Sequence, residues 1–138
     1  MTVNNILNYN TIIKNLIDNA SDINSLVKFK LLGMLKQFEP VVQNFEAVRE
    51  EQIKKFGKED GNGGFGIIAP VKDDFEDEKE FEKAQAEFEE TIKKFSDALD
   101  EVLKSETEIK LKKFKVNDIM NAGLPADYLM ALYDLIEE

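Results

Sequence analysis

Apolar residues return every seven positions between Phe81 and Val102, at Phe81, Phe88, Phe95 and Val102. Ala84, Thr91 and Ala98 stand three residues after the first three of these, and Ile92 and Leu99 four residues after Phe88 and Phe95. Glu, Asp and Lys take most positions between. A seven-residue repeat keeps one narrow stripe turned toward a neighbouring helix. The segment therefore predicts a long helix over about 74–104 lying along a second one.

A matching stripe lies upstream. Val27, Leu31, Met34, Phe38, Val41, Phe45, Val48 and Gln52 alternate spacings of four and three, widened by Leu26, Leu35, Val42, Ile53 and Phe56. This predicts a helix over about 22–56, capped by Ser21 or Asp22. Pro40 removes a backbone hydrogen bond in its middle. Because the apolar phase continues across Pro40, a kink is expected in preference to two helices. Ile6, Leu7, Ile13, Leu16 and Ile17 share one face opposite Asn4, Asn5, Asn8, Lys14 and Asn15, which predicts a first helix over 3–19.

The connections are legible from turn chemistry. Gly57 is a helix stop, and residues 57–64 are rich in Gly, Asn and Asp. Phe65-Gly-Ile-Ile-Ala-Pro-Val71 reads as an edge strand or an extended connector. Asp73-x-x-Glu76 resembles a capping box for the helix that follows. Residues 107–116 alternate as a strand whose phase slips at Lys112-Lys113, predicting a bend that separates Ile109 and Leu111 from Phe114 and Val116. The two extended segments are expected to pair only if one folds back. Asn117 caps a turn of helix over 117–122, and Pro125 opens a last helix over 125–137 with Leu129, Leu132, Tyr133 and Ile136 inside. The expected fold is mainly α: a single domain over 1–138, built on an elongated antiparallel helical hairpin. Short N- and C-terminal helices pack across one end, with one or two short extended segments.

Charge and composition then narrow the chemistry. The chain of 138 residues has 18 basic and 28 acidic side chains, a formal net charge of −10. That sign disfavours nucleic acid and anionic membrane surfaces as direct partners. It is compatible with a basic protein partner or with mimicry of nucleic-acid phosphates, and its plain reading is solubility. The absence of Cys excludes disulfides and zinc–thiolate sites, and the absence of His excludes Ser-His-Asp chemistry and most transition-metal sites. No basic leader and no apolar run of membrane-spanning length is legible.

The Asp60-Gly-Asn62-Gly-Gly64 loop fails a calcium-loop register, because the fifth, sixth and twelfth positions fall on Gly64, Phe65 and Val71. The glycines of 61–66 are followed by no Lys-Ser/Thr pair, so no phosphate loop is drawn. Carboxylates crowd the start of the third helix, but an outward helix face cannot shift their pKa values for catalysis. The reading assigns no catalytic, metal or cofactor residue, and no cofactor. Candidate partner-binding residues are Asp73, Asp74, Glu76, Asp77, Glu80, Glu87 and Glu90, together with Lys110, Lys112 and Lys113 of the one dense basic run. The loop 57–72 is a further candidate contact surface. The Lys run is expected to pair with the acidic third helix or to protect a strand edge.

The order of segments carries a resemblance. Leu26-Val-Lys-Phe-Lys-Leu-Leu32 leads into Phe45-Glu-Ala-Val-Arg-Glu-Glu-Gln-Ile-Lys-Lys-Phe-Gly57, then the acidic Gly/Asn turn 58–64 and a Phe- and Glu-rich helix. Glu106-Thr-Glu-Ile-Lys-Leu-Lys-Lys-Phe-Lys-Val-Asn-Asp-Ile119, Leu124-Pro-Ala-Asp-Tyr-Leu-Met-Ala-Leu132 and Leu135-Ile-Glu-Glu close the chain. From about residue 25 onward this resembles a family of small proteins of unknown function encoded by tailed phages and prophages of Gram-positive bacteria. The first twenty residues depart from it. The resemblance implies a mostly helical phage protein and carries over no reaction or catalytic residue.

The expected function is therefore a non-enzymatic accessory or assembly factor that binds another phage or host protein. The alternative is an anti-defence inhibitor of anti-CRISPR or nuclease-inhibitor type, using its acidic helix as a nucleic-acid mimic. The expected location is the bacterial host cytoplasm, with virion association as the other possibility. A monomer is favoured over a homo-oligomer, because the Phe stripe has its match within the chain.

Overall fold

The computed structural model describes residues 1–137. The fold is mainly α, with five α-helices, two 3-10 turns and four two-residue strands among the described residues. The chain forms two compact units, Met1–Gln43 with Ser105–Glu138, and Asn44–Lys104. Helix α2, Ser25–Phe56, runs from one into the other.

In the first unit, α1 (Val3–Asn19) opens on a capping box. The Thr2 hydroxyl accepts from the Asn5 N–H at 3.1 Å, and the Asn5 side-chain oxygen accepts from the Thr2 N–H at 2.9 Å. Asn supplies the return bond that Glu or Gln more often makes. The apolar face predicted for α1 is the one buried, through Ile6, Ile13 and Leu16. These join Val27, Leu31, Met34 and Phe38 of α2 and Phe114, Ile119, Ala122, Leu132 and Leu135 from the C-terminal segment in one cluster. The terminal segments bury the first half of α2.

Helix α2 is continuous through Pro40, so it is not split there. Pro40 and Lys36 are both exposed. The missing hydrogen bond thus falls on the exposed side of the helix, which lowers its penalty. The helix starts three residues later than expected. Its cap is Asn24, not Ser21 or Asp22: the Asn24 Oδ1 accepts from the Leu26 N–H at 2.9 Å and the Val27 N–H at 3.4 Å. Leu26 consequently sits in the first turn and is exposed.

The C-terminal segment differs most from the reading. Only Phe114–Lys115 (β3) of the predicted strand is paired, in parallel with Ile136–Glu137 (β4). Upstream, Thr2 and Glu106 form an antiparallel bridge, and the Thr107 N–H and hydroxyl both donate to the Met1 carbonyl, at 2.9 and 2.8 Å. The slip at Lys112-Lys113 is real, but its effect is the reverse of the one expected. It returns Phe114 to the same core as Ile109 and Leu111. Helix α4 is Val116–Met120, with Lys115 rather than Asn117 at its N-cap. Pro125 does cap α5, Ala126–Ala131, which ends six residues early in a 3-10 turn, Tyr133–Leu135. A 3-10 turn places residues three apart on one side. Leu132 and Leu135 are therefore buried while Tyr133 is exposed.

In the second unit, the end of α2 reverses through a short antiparallel ladder, Lys58–Glu59 (β1) against Phe65–Gly66 (β2), into α3, Glu78–Lys104. Phe81, Phe88, Phe95 and Val102 all lie on the covered side of α3, as the repeat predicts, but only half-buried. Phe45 and Leu99 are the buried side chains here among the described residues. A two-helix hairpin covers each stripe from one side only.

Candidate protein-binding groove

The strap that joins the two helices of the second unit forms a groove of about 530 Å³ against α3. Gly57 starts it. Its N–H donates to the Ile53 carbonyl at 2.7 Å, closing α2. The ladder then turns at 60–64, where Gly61 and Gly63 adopt φ of 84° and 85°. The Asp60 Oδ1 accepts from the N–H groups of Asn62 at 2.8 Å and Gly64 at 3.2 Å. That carboxylate is committed to the turn, which accounts for an acid in a loop that does not fit a calcium site.

From Ile67 the strap runs to a 3-10 turn, Lys72–Asp74, held by Asp74 N–H to Val71 carbonyl at 3.1 Å. Phe75 follows, its ring edge-on to Phe81 with centroids 5.8 Å apart. The predicted Asp73-x-x-Glu76 box does not form, because the 3-10 turn takes up Asp73. Asp77 caps α3 instead, its Oδ1 accepting from the Lys79 N–H at 3.0 Å. Ile68, Val71 and Phe75 of the strap face Phe56 of α2 and Ala84, Phe88 and Thr91 of α3 across the groove. The Thr91 hydroxyl donates to the Glu87 carbonyl at 2.9 Å, within its own helix. The charged side chains lining the groove are Lys58, Glu59, Asp74 and Glu87.

Asp74 and Glu87 are thus the two predicted acidic residues that border the groove. Asp73, Glu76, Asp77, Glu80 and Glu90 are exposed on the same strap and helix. Glu90 is 3.4 Å from Lys94, an exposed pair that contributes little. Lys110, Lys112 and Lys113 belong to the first unit and are exposed; Lys112 and Lys113 border a separate hollow of about 130 Å³ with Lys30, Gly33 and Met34. Among the described residues no ion pair involves Lys110, Lys112, Lys113 or Lys115. Long side chains with free access to water gain little by pairing.

The loop 57–72 was legible as a surface, but Ile68, Val71 and Phe75 as groove walls were not. Their signal is an apolar run between polar turns, too short to reveal which side it turns inward. Among the described residues no group of three or more acidic side chains converges as a metal site, and no helix is long and apolar enough to cross a membrane. In the first unit, the surroundings of Tyr9 shift its phenol. Burial pushes its phenol up, and the Asp134 carboxylate adds to the effect. No protein-family model, curated protein or solved structure matches the chain.

Proposed function

We propose that this protein works by binding another protein and not by catalysis, in an accessory or assembly role that suits the phage origin its sequence resemblance implies. One observation supports the reading above others. Ile68 and Val71, in the wall of an open apolar groove, are 56% and 54% exposed. Contiguous apolar surface rimmed by charge is the usual mark of an interaction site. The test is affinity capture from host cells with the wild-type chain and an Ile68→Ser/Val71→Ser variant. A partner retained by the first and lost by the second is the expected result. An unchanged set of captured proteins overturns the assignment to this groove, and turnover dependent on one specific carboxylate overturns the non-enzymatic reading.

A second reading is an inhibitor that presents Asp73–Glu90 in place of nucleic-acid phosphates. The exposure of Asp73, Asp74, Glu76, Asp77, Glu80, Glu87 and Glu90 favours it. It calls for a nucleic-acid-binding target whose affinity falls steeply with salt and with Glu→Gln changes on α3, and is indifferent to Ile68 and Val71.

A further inference from the structure

We propose that the groove of the second unit takes a cationic amphipathic segment of a partner protein, one or two large apolar side chains entering between strap and α3 while Lys or Arg meets Glu59, Asp74 and Glu87. The inference rests on the protein-binding reading above and adds the chemistry of the occupant. Three features of the groove carry it. Its volume, about 530 Å³, lies in the range of sites that accept large side chains or small ligands. Its walls are apolar, through Ile68, Val71, Phe75 and Phe88. Among the described residues, its charged rim has three carboxylates against the single cation Lys58.

The polar groups decide between occupants. The Thr91 hydroxyl already bonds within its helix, leaving the rim carboxylates and Lys58 as the free side-chain partners in the lining. An acidic segment would be repelled by Glu59, Asp74 and Glu87. An uncharged one would cover those carboxylates without replacing their water. A cationic segment satisfies them, and its apolar residues fill the space between. In such a contact the buried apolar side chains set affinity, and the exposed rim sets encounter rate and salt dependence.

The experiment titrates the full chain with a synthetic Leu–Lys amphipathic peptide and, separately, with a Leu–Glu peptide of the same length and pattern. The Leu–Lys peptide should bind and the Leu–Glu peptide should not. Ile68→Ser/Val71→Ser should weaken binding by about tenfold or more, the loss expected from two exposed aliphatic contacts. The conservative Ile68→Val should retain it. Glu59→Gln/Asp74→Asn/Glu87→Gln should weaken binding at low salt and flatten its salt dependence. Equal losses from Glu46→Gln/Glu50→Gln/Glu101→Gln would show attraction by net charge alone and overturn the proposal. So would binding indifferent to Ile68 and Val71. Self-association abolished by Ile68→Ser/Val71→Ser would also overturn it, making the occupant a second copy. A cellular partner that needs Ile68 but docks through a neutral or acidic segment defeats this inference and leaves the protein-binding reading intact.

Discussion

The Gly66 carbonyl stands where a side chain on Gly57 would have to be. A β-carbon on Gly57 would lie 2.7 Å from the Gly66 oxygen and 2.5 Å from the Ile53 oxygen. Both obstacles are backbone, so neither can swing aside. The pair brings the end of α2 against β2 and sets where the strap leaves for the groove. Gly57→Ala should therefore cost about 1–3 kcal/mol in urea unfolding. It should also weaken capture of any partner that uses the groove, which Gly57 helps to line.

Two other glycines should respond in opposite directions. Gly33 is inside α2 with nothing within 4 Å of an added β-carbon, so Gly33→Ala should stabilise by about 0.5–1 kcal/mol. Gly123 has φ of 79°, and an added β-carbon would be 2.6 Å from the Asp22 carbonyl oxygen. Beside it, the Asn24 N–H donates to the Ala122 carbonyl at 2.8 Å, tying the α1–α2 turn to the end of α4. Gly123→Ala should destabilise by about 1–3 kcal/mol, through backbone strain and displacement of that turn. Thermal or urea unfolding of the two variants side by side checks the sign.

The two Phe stripes should differ in weight. Phe38 is fully buried and Phe88 half-buried. Phe38→Ala should cost about 3–5 kcal/mol, whereas Phe88→Ala should cost less, about 1–2 kcal/mol, because part of its surface already meets water. Equal losses in unfolding experiments would mean that the stripe of α3 is closed in solution by something beyond its own hairpin.

Tyr9 should ionise late. Burial, and then the Asp134 carboxylate, raise its folded pKa above the ordinary tyrosine value of 10.0. The folded state then holds the phenolic proton more tightly than the unfolded one. The stability it contributes is complete below the unfolded value and is lost as pH rises through the folded value. A spectrophotometric alkaline titration should show a late phenolate step that Tyr9→Phe removes, and Asp134→Asn should bring that step to lower pH.

Periodicity alone settled the helices. The span of α1, the stripe of α2 from Val27 to Gln52, and the inward side of α3 are all where the apolar spacing puts them, because a helix of ten or more residues repeats its pattern often enough to define a face. Turn chemistry settled Gly57 and Pro125 for a similar local reason. The short segments were not legible. Phe114–Lys115 pairs with Ile136–Glu137 across most of the C-terminal segment, and Leu135 rather than Tyr133 is buried because α5 tightens into a 3-10 turn. Nothing within a few residues of either encodes that.

The same divide holds for the site. Asp74 and Glu87 could be named from charge and exposure alone. Only the tertiary structure brings them to one groove with Ile68 and Val71, because the strap must fold back on α3 before any groove exists. It also decided how much each stripe matters. The repeat at Phe81–Val102 is the strongest pattern in the sequence, yet the fully buried Phe residues are Phe38 and Phe114. Spacing determines which way a helix faces, and burial depends on how many other elements arrive to cover that face.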